Sequence, residues 1–303
     1  MRKIYDNTID MIWQTQPWAD MLRTSWQVEQ TYVIDGVHIE KRSIAFGQYG
    51  LFVLWVAPTL SPERLIALCQ QEKCLFLQIE TYITDISQES SCFNTLREWY
   101  YKKFIPPYTA LIDMTQSLDD ILAGMKPKGR YNIKLAQKKW VKCQVVEKTP
   151  ENIKHFYNIL LETTTRDAFS GNSFEYYTQF LNTLTSSQLL LAYLDEEVIA
   201  GGIFVFDAEV SLYYYGASSN KHRNVMAPYL VQYTALCEAK NRGSRYYDFL
   251  WVAWPNEKNS PLAGVTDFKK KFTTDMRHVS QSYIWVRNKP LYMIIQLLRK
   301  LSR

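Results

Sequence analysis

The sequence has little of what metal sites and covalent frameworks are made from. Its four histidines (His38, His155, His222, His278) stand at no metal-ligand spacing with one another or with a cysteine. That argues against a zinc or two-histidine site. The five cysteines (Cys69, Cys74, Cys92, Cys143, Cys237) form no Cys-x-x-Cys pair and no regular framework. The start, Met1-Arg2-Lys3, is polar and lacks a signal-peptide pattern, so free thiols in a reducing cytoplasm are expected. No run of about 18 apolar residues occurs, and no membrane span is expected. There is no Gly-x-Ser-x-Gly elbow, no Walker loop and no Gly-x-Gly-x-x-Gly fingerprint. A Ser/His/Asp or Cys/His nucleophile stays open but has no local signature. The chemistry left is positioning and electrostatics, with tyrosine, arginine and lysine as the polar groups.

What is present supports real cores. Hydrophobic residues make up 47% and aromatics 15% of 303 residues. That length favours two domains of about 150 residues. Strand-like and helix-like periodicities alternate, which predicts mixed α and β. Buried strands are predicted at Phe52–Val56, ended by Pro58, and at Leu75–Ile79. A helix runs from Ser61-Pro62 towards Gln71. Ser117 caps a short helix, and Gly129 interrupts before a basic helix over Arg130–Trp140. Thr149-Pro150 opens another helix. Gln188–Leu194, Val198–Phe206 and Val210–Tyr215 read as a meander, with Gly201-Gly202 marking a bulge or a close backbone approach. A strand at Ser282–Val286 leads to a last helix, Leu291–Leu301, expected to dock on an existing domain. The expected division is 1–146 with 281–303, and 147–280.

Tyr213-Tyr214-Tyr215-Gly216-Ala217-Ser218-Ser219 is a strand ending in small residues, followed by a helix bounded by Pro228 and Gly243. Such a junction brings bare backbone N–H groups against an anionic or carbonyl ligand. Strand alternation predicts Tyr213 and Tyr215 on one face and Tyr214 on the other. Lys126–Lys148 holds eight basic residues against one acid, Glu147. Arg130, Lys134 and Lys138 form one helical stripe, readable as a solvated face or as a phosphate-binding patch within a net charge of +5. Arg166-Asp167 reads first as a surface pair. In Asp267-Phe268-Lys269-Lys270-Lys271-Phe272 the two phenylalanines share a face beside Lys269.

Taken in order, several motifs resemble the Fem-type (FemABX) peptidoglycan aminoacyltransferases. They are Trp18, Pro107-x-Thr109, Lys128-Gly129-Arg130-Tyr131-Asn132-Ile133-x-x-Ala136, Thr165-Arg166-Asp167-x-Phe169, Tyr213-x-Tyr215-Gly216-Ala217-Ser218-Ser219, Ala227-Pro228-Tyr229, Tyr247-Asp248-Phe249 and Phe268-Lys269-x-x-Phe272. The resemblance implies an α/β (α+β) fold of two tandem GNAT-like domains, the first on the precursor-binding side and the second carrying the Phe-Lys motif. It implies transfer from aminoacyl-tRNA to the stem-peptide amine of UDP-MurNAc-peptide or lipid II, with no cofactor and no metal. Lys269 matches the lysine that stabilises the tetrahedral intermediate, and Phe268 positions it. Tyr215 and Arg166 match precursor contacts, and Tyr229 and Arg223 fall in the substrate-binding region. Arg130, Lys134 and Lys138 then become candidate tRNA contacts. Lacking any long charged heptad pattern, the chain resembles the compact type. A monomer in the cytoplasm, with a peripheral contact to the inner membrane face, fits that type.

The resemblance departs at Leu22, where the family often has a lysine, with Arg23 beside it. It departs again at Leu250-Trp251, where a glycine usually follows Asp-Phe. Two rivals remain. One is an acetyl-CoA-dependent N-acetyltransferase of the same fold, although His222–Ala227 lacks the glycines of a pyrophosphate loop. The other is a membrane-surface or RNA-binding module.

Overall fold

The computed structural model describes residues 11–57, 59–82, 96–167, 169–254, 257 and 260–301. Met1-Arg2-Lys3, Pro58 and Cys92 lie outside them. The chain folds as two compact units, Met1–Pro107 with His278–Arg303, and Tyr108–Arg277. In chain order the first unit contributes α1 (Gln16–Thr24), β1 (Gln30–Ile34), β2 (Val37–Ser43), β3 (Tyr49–Val56), α2 (Glu63–Gln71), β4 (Phe76–Tyr82) and β5 (Arg97–Glu98). The second contributes β6 (Tyr108–Asp113), α3 (Leu118–Gly124), α4 (Pro127–Lys138), β7 (Lys142–Val146), α5 (Pro150–Asp167) and α6 (Phe174–Thr183). It continues with β8 (Ser187–Leu194), β9 (Glu197–Val205), β10 (Val210–Ser218), α7 (Ala227–Asn241), β11 (Tyr246–Asp248) and α8 (Ala263–Lys269). After β12 (Met276–His278) the chain re-enters the first unit with β13 (Ser280–Val286) and α9 (Lys289–Leu301).

Each unit is built on its own mixed sheet, as expected for tandem GNAT-like domains. In the first, the order is β1-β2-β3-β4-β13-β5, with β3 and β4 parallel. Ile39, Leu51, Val53, Leu77 and Ile79 pack one face against Leu65, Leu68 and Cys69 of α2. In the second, the order is β12-β6-β11-β10-β9-β8-β7, with β10 and β11 parallel. Its main core joins Phe204, Tyr247, Phe249 and Phe272 to the inner side of α7.

The local readings of helix starts hold because caps are short-range. Ser117 accepts from the Asp120 N–H at 3.1 Å and Thr149 from the Asn152 N–H at 3.2 Å. The boundary expected at 146/147 is corrected to 107/108. The Lys142–Val146 segment is no linker, because β7 pairs with β8 along its length. β6 reaches its partner β11 only across more than a hundred residues of chain, a pairing that hydrophobic pattern does not reveal. Gly129 does not interrupt a helix either. It lies in the first turn of α4, where a Cβ would strike the Lys271 carbonyl. Gly201-Gly202 runs in regular register against β8. It is the close-approach alternative that applies there, against the Leu190 carbonyl.

Candidate active site

Lys269 closes α8 and is 4% exposed. Its Nζ donates to the Leu250 carbonyl at 3.0 Å and to the Trp251 carbonyl at 2.8 Å. These bonds use two of the three N–H groups of an ammonium. Burial pushes its pKa down to about 7, with the charge of Asp248 acting the other way. The Tyr213 ring lies 5.6 Å from Nζ, within cation–π range.

Leu250 is held in place by Asp248, at the end of β11 and 1% exposed. Its carboxylate accepts from the Leu250 N–H at 2.6 Å and from the Thr109 hydroxyl of β6 in a close hydrogen bond. Leu250 itself has φ +52°. A bulky residue in that region costs about 1–3 kcal/mol and persists only where its surroundings over-determine it. Here its N–H is bound by Asp248 and its carbonyl by Lys269.

Beyond β10 lies a cavity of about 400 Å³. Ser218 and Ser219, Arg223, Met226, Tyr229 and Phe268 are among its lining residues. A 3₁₀ turn at Arg223–Val225 precedes α7, flanked by His222 and Met226 at φ +54° and +59°. The turn sets the start of α7, with Pro228 in its first turn, against the cavity. The positive end of the α7 dipole beside Lys221, His222 and Arg223 favours an anion, while Pro228 has no N–H and that of Tyr229 goes to the Met226 carbonyl. Glu197 meets Lys221 at 3.0 Å and His222 at 3.6 Å, and Arg223 beside them is exposed and makes no ion pair among the described residues. Glu162 of α5 pins the loop by accepting from the Ser219 hydroxyl and the Asn220 N–H, both at 2.9 Å. The aromatic wall is Tyr229 against Phe268, ring centroids 5.1 Å apart, backed by Phe272.

The cavity thus gathers Phe268, Tyr229 and Arg223 from the predicted residues. Tyr215 stands elsewhere. The β9–β10 register breaks between Tyr213 and Tyr215, so one residue of β10 is extra. Alternation resumes out of phase, and the expectation that Tyr213 and Tyr215 share a face is corrected. Tyr213 stacks on Phe204 at 5.4 Å and meets Phe249 on the Lys269 side. Tyr214 and Tyr215 both pack on Phe180 of α6, and the Tyr215 hydroxyl lies 3.0 Å from that of Tyr176. Burial and the surrounding phenols hold the Tyr215 hydroxyl well above its ordinary value, so it is neutral.

Arg166 ends α5 beneath the same loop. It donates to the Ser218 carbonyl and to the Asn220 Oδ1, each at 3.0 Å, and its fork grips Asp167 at 2.9 and 3.0 Å. On α4, Lys134 and Lys138 are exposed together with Tyr131 (63%); the helix ends at Lys138 rather than Trp140, and Trp140 (82% exposed) follows it at φ +62°. Arg130 leaves the stripe to donate to the carbonyls of Ala123 and Met125. Near the N-terminus, Trp18 is buried and donates to Glu40 at 3.0 Å, Leu22 is buried, and Arg23 pairs with Asp20. Reading the sequence missed Tyr213, Asp248, Thr109 and Leu250 as neighbours of Lys269. The quoted motifs contain the first three, and only the bulge sorts the tyrosines.

A two-unit α/β fold with a buried lysine beside a cationic helix-start cavity can be set against known proteins. A model of the FemAB family matches residues 59–197 and 188–300, so this chain belongs to the FemAB family. It is similar to the aminoacyltransferase FemA of Staphylococcus epidermidis, 30% identical over 36% of this chain and 26% of that protein. It is also similar to the lipid II:glycine glycyltransferase of Staphylococcus saprophyticus, 33% identical over 32% of this chain and 24% of that protein. The matches therefore span about a quarter of the length of these relatives. The crystal structure of FemX shares the fold, with a TM-score of 0.78 over 96% of both chains at 17% identity.

Proposed function

We propose that this protein is an aminoacyltransferase that moves an amino acid from aminoacyl-tRNA to the stem-peptide amine of a peptidoglycan precursor, either UDP-MurNAc-peptide or lipid II. The observation that carries the reading is Lys269, a buried amine whose neighbours are two carbonyls, a tyrosine face and Asp248. The acceptor amine attacks the ester carbonyl carbon. A C–N bond forms as the C–O bond to the ribose breaks, and the amine proton leaves with the ribose oxygen. Negative charge gathers on the carbonyl oxygen in between, where the third N–H of the Lys269 ammonium stabilises it. The ester is already activated, so approximation and this charge suffice without a covalent enzyme intermediate.

The cavity is assigned to the donor end. The α7 start and Arg223 suit a phosphodiester, and Tyr229 with Phe268 offers faces for a base. Arg166 is assigned to the acceptor diphosphate, exchanging the Asp167 carboxylate for it, since both are bidentate partners of a guanidinium. Tyr215, bonded to Tyr176, is assigned to the precursor on the α6 side. The protein is proposed to act as a cytoplasmic monomer with a peripheral contact to the inner membrane face. Among the described residues, no helix is long and apolar enough to cross a membrane. The test offers mixed charged tRNAs, or acetyl-CoA, to both precursor forms and reads the product by mass. A product extended by one or more amino acids from tRNA alone is expected. An acetylated product from acetyl-CoA alone overturns the reading.

Lys134 and Lys138 are assigned to the tRNA backbone, with Tyr131 and Trp140 beside them. Lys134→Gln with Lys138→Gln is expected to raise KM for aminoacyl-tRNA about tenfold at moderate salt with kcat unchanged. The slope of log KM against log salt should flatten by roughly two contacts' worth. An unchanged slope removes α4 from the tRNA interface.

A further inference from the structure

The faces of α9 are unlike. Its inner face holds Tyr292 and Ile295, both buried in the first unit, with Tyr292 edge-on to Phe76 at 5.6 Å. On the same side Arg299 lies 3.8 Å from the Tyr101 ring and donates to the Tyr101 carbonyl at 2.8 Å. Its outer face holds Met293 (66% exposed), Ile294 (55%), Leu297 (60%), Leu298 (41%) and Leu301 (76%). That spacing is one continuous helical stripe, made wholly of large apolar side chains. Burial in the first unit satisfies the sequence-level expectation of docking, yet leaves this second apolar face in water.

Two further observations say what covers it. From Val286 to Leu301 there are no acidic residues, against Arg287, Lys289, Arg299 and Lys300. Beside the helix, Trp99 (54% exposed) and Tyr100 (41%) stack at 5.8 Å. Lys103 lies 4.8 Å from the Tyr100 ring. An apolar stripe, a basic surround and amphipathic aromatics at the rim are what an anionic bilayer surface selects. A second copy of the chain would set this basic surround against itself. At 13 residues the helix is too short to span and would lie in the interface plane.

We propose that the first unit docks on an anionic lipid surface through Met293, Ile294, Leu297, Leu298 and Leu301, with Trp99 and Tyr100 at headgroup depth. This deepens the membrane-contact part of the proposed function and rests on it, but its test does not use the transfer reaction. The full-length protein is floated with vesicles of phosphatidylcholine containing phosphatidylglycerol, and with phosphatidylcholine alone. Binding is expected to the anionic vesicles and to weaken with salt. Ile294→Gln with Leu297→Gln should lower that binding about tenfold or more while leaving the melting temperature and transfer to UDP-MurNAc-peptide unchanged. Absence of wild-type binding, or equal binding by the variant, overturns the proposal. So does vesicle-free sedimentation that shows a wild-type dimer dissociated by the same two changes. Vesicle binding without any transfer leaves the docking surface standing and removes the enzymatic reading instead.

Discussion

Replacing Lys269 by methionine is expected to lower kcat for transfer by about two to three orders of magnitude with acceptor affinity unchanged, because one donor to a developing oxyanion is worth about 3–4 kcal/mol. Methionine keeps the length and apolar bulk of the side chain and removes only the amine. The titration of Lys269 adds a signature that a merely structural lysine does not have. Its pKa stands at about 7 against an ordinary 10.5. The ammonium is therefore lost in the folded protein as pH rises through about 7. The acceptor amine gains reactivity over the same range, but it does so equally in both proteins. The ratio of wild-type to Lys269→Met rates should thus fall about tenfold per pH unit above 7. The stability consequence has a definite sign. Between about 7 and 10.5 the unfolded chain holds the lysine proton and the folded chain does not, so wild-type stability rises with pH relative to the methionine variant. Melting temperatures of the pair at pH 6 and pH 9 read this difference. Equal rates for the two proteins would remove Lys269 from the chemistry.

Gly216→Ala is expected to cost about 2 kcal/mol and several degrees of melting temperature, and to reduce transfer about tenfold or more. A Cβ at this position would coincide with the Tyr213 hydroxyl and come within 2.6 Å of its ring carbon Cζ. Tyr213 is clasped between Phe204 and Phe249, so the ring cannot retreat cheaply. Displacing it also removes the aromatic face beside Lys269. The double variant Gly216→Ala with Tyr213→Leu should recover much of the melting temperature and little of the activity. A single variant that melts and turns over like wild type would show that Tyr213 has room to move, and would end this account of Gly216.

The legible parts of this fold were those fixed by near neighbours in the chain. Ser117 and Thr149 announce their helices because a cap acts over three residues. The boundary was illegible for the converse reason. β6 belongs to the second unit through its pairing with β11, and β7 through its pairing with β8, and neither strand carries a mark of its partner. The site divides in the same way. Sequence places Lys269 beside two phenylalanines in a run of three lysines, and the resemblance gives it its role. Its burial depends on the carbonyls of Leu250 and Trp251, brought there by a positive φ that no leucine advertises. Arg130 looked equivalent to Lys134 and Lys138 by spacing, yet the open carbonyls of Ala123 and Met125 lay within its reach.

The extra residue in β10 works as a phase shifter, a geometric device rather than a chemical one. Upstream of it the strand's odd-numbered side chains belong to the lysine compartment, and downstream they belong to α6. Aligned tyrosines in two relatives therefore occupy the same compartment only if both strands carry the same offset. One residue gained or lost here would exchange the contents of the two faces without altering a single side chain.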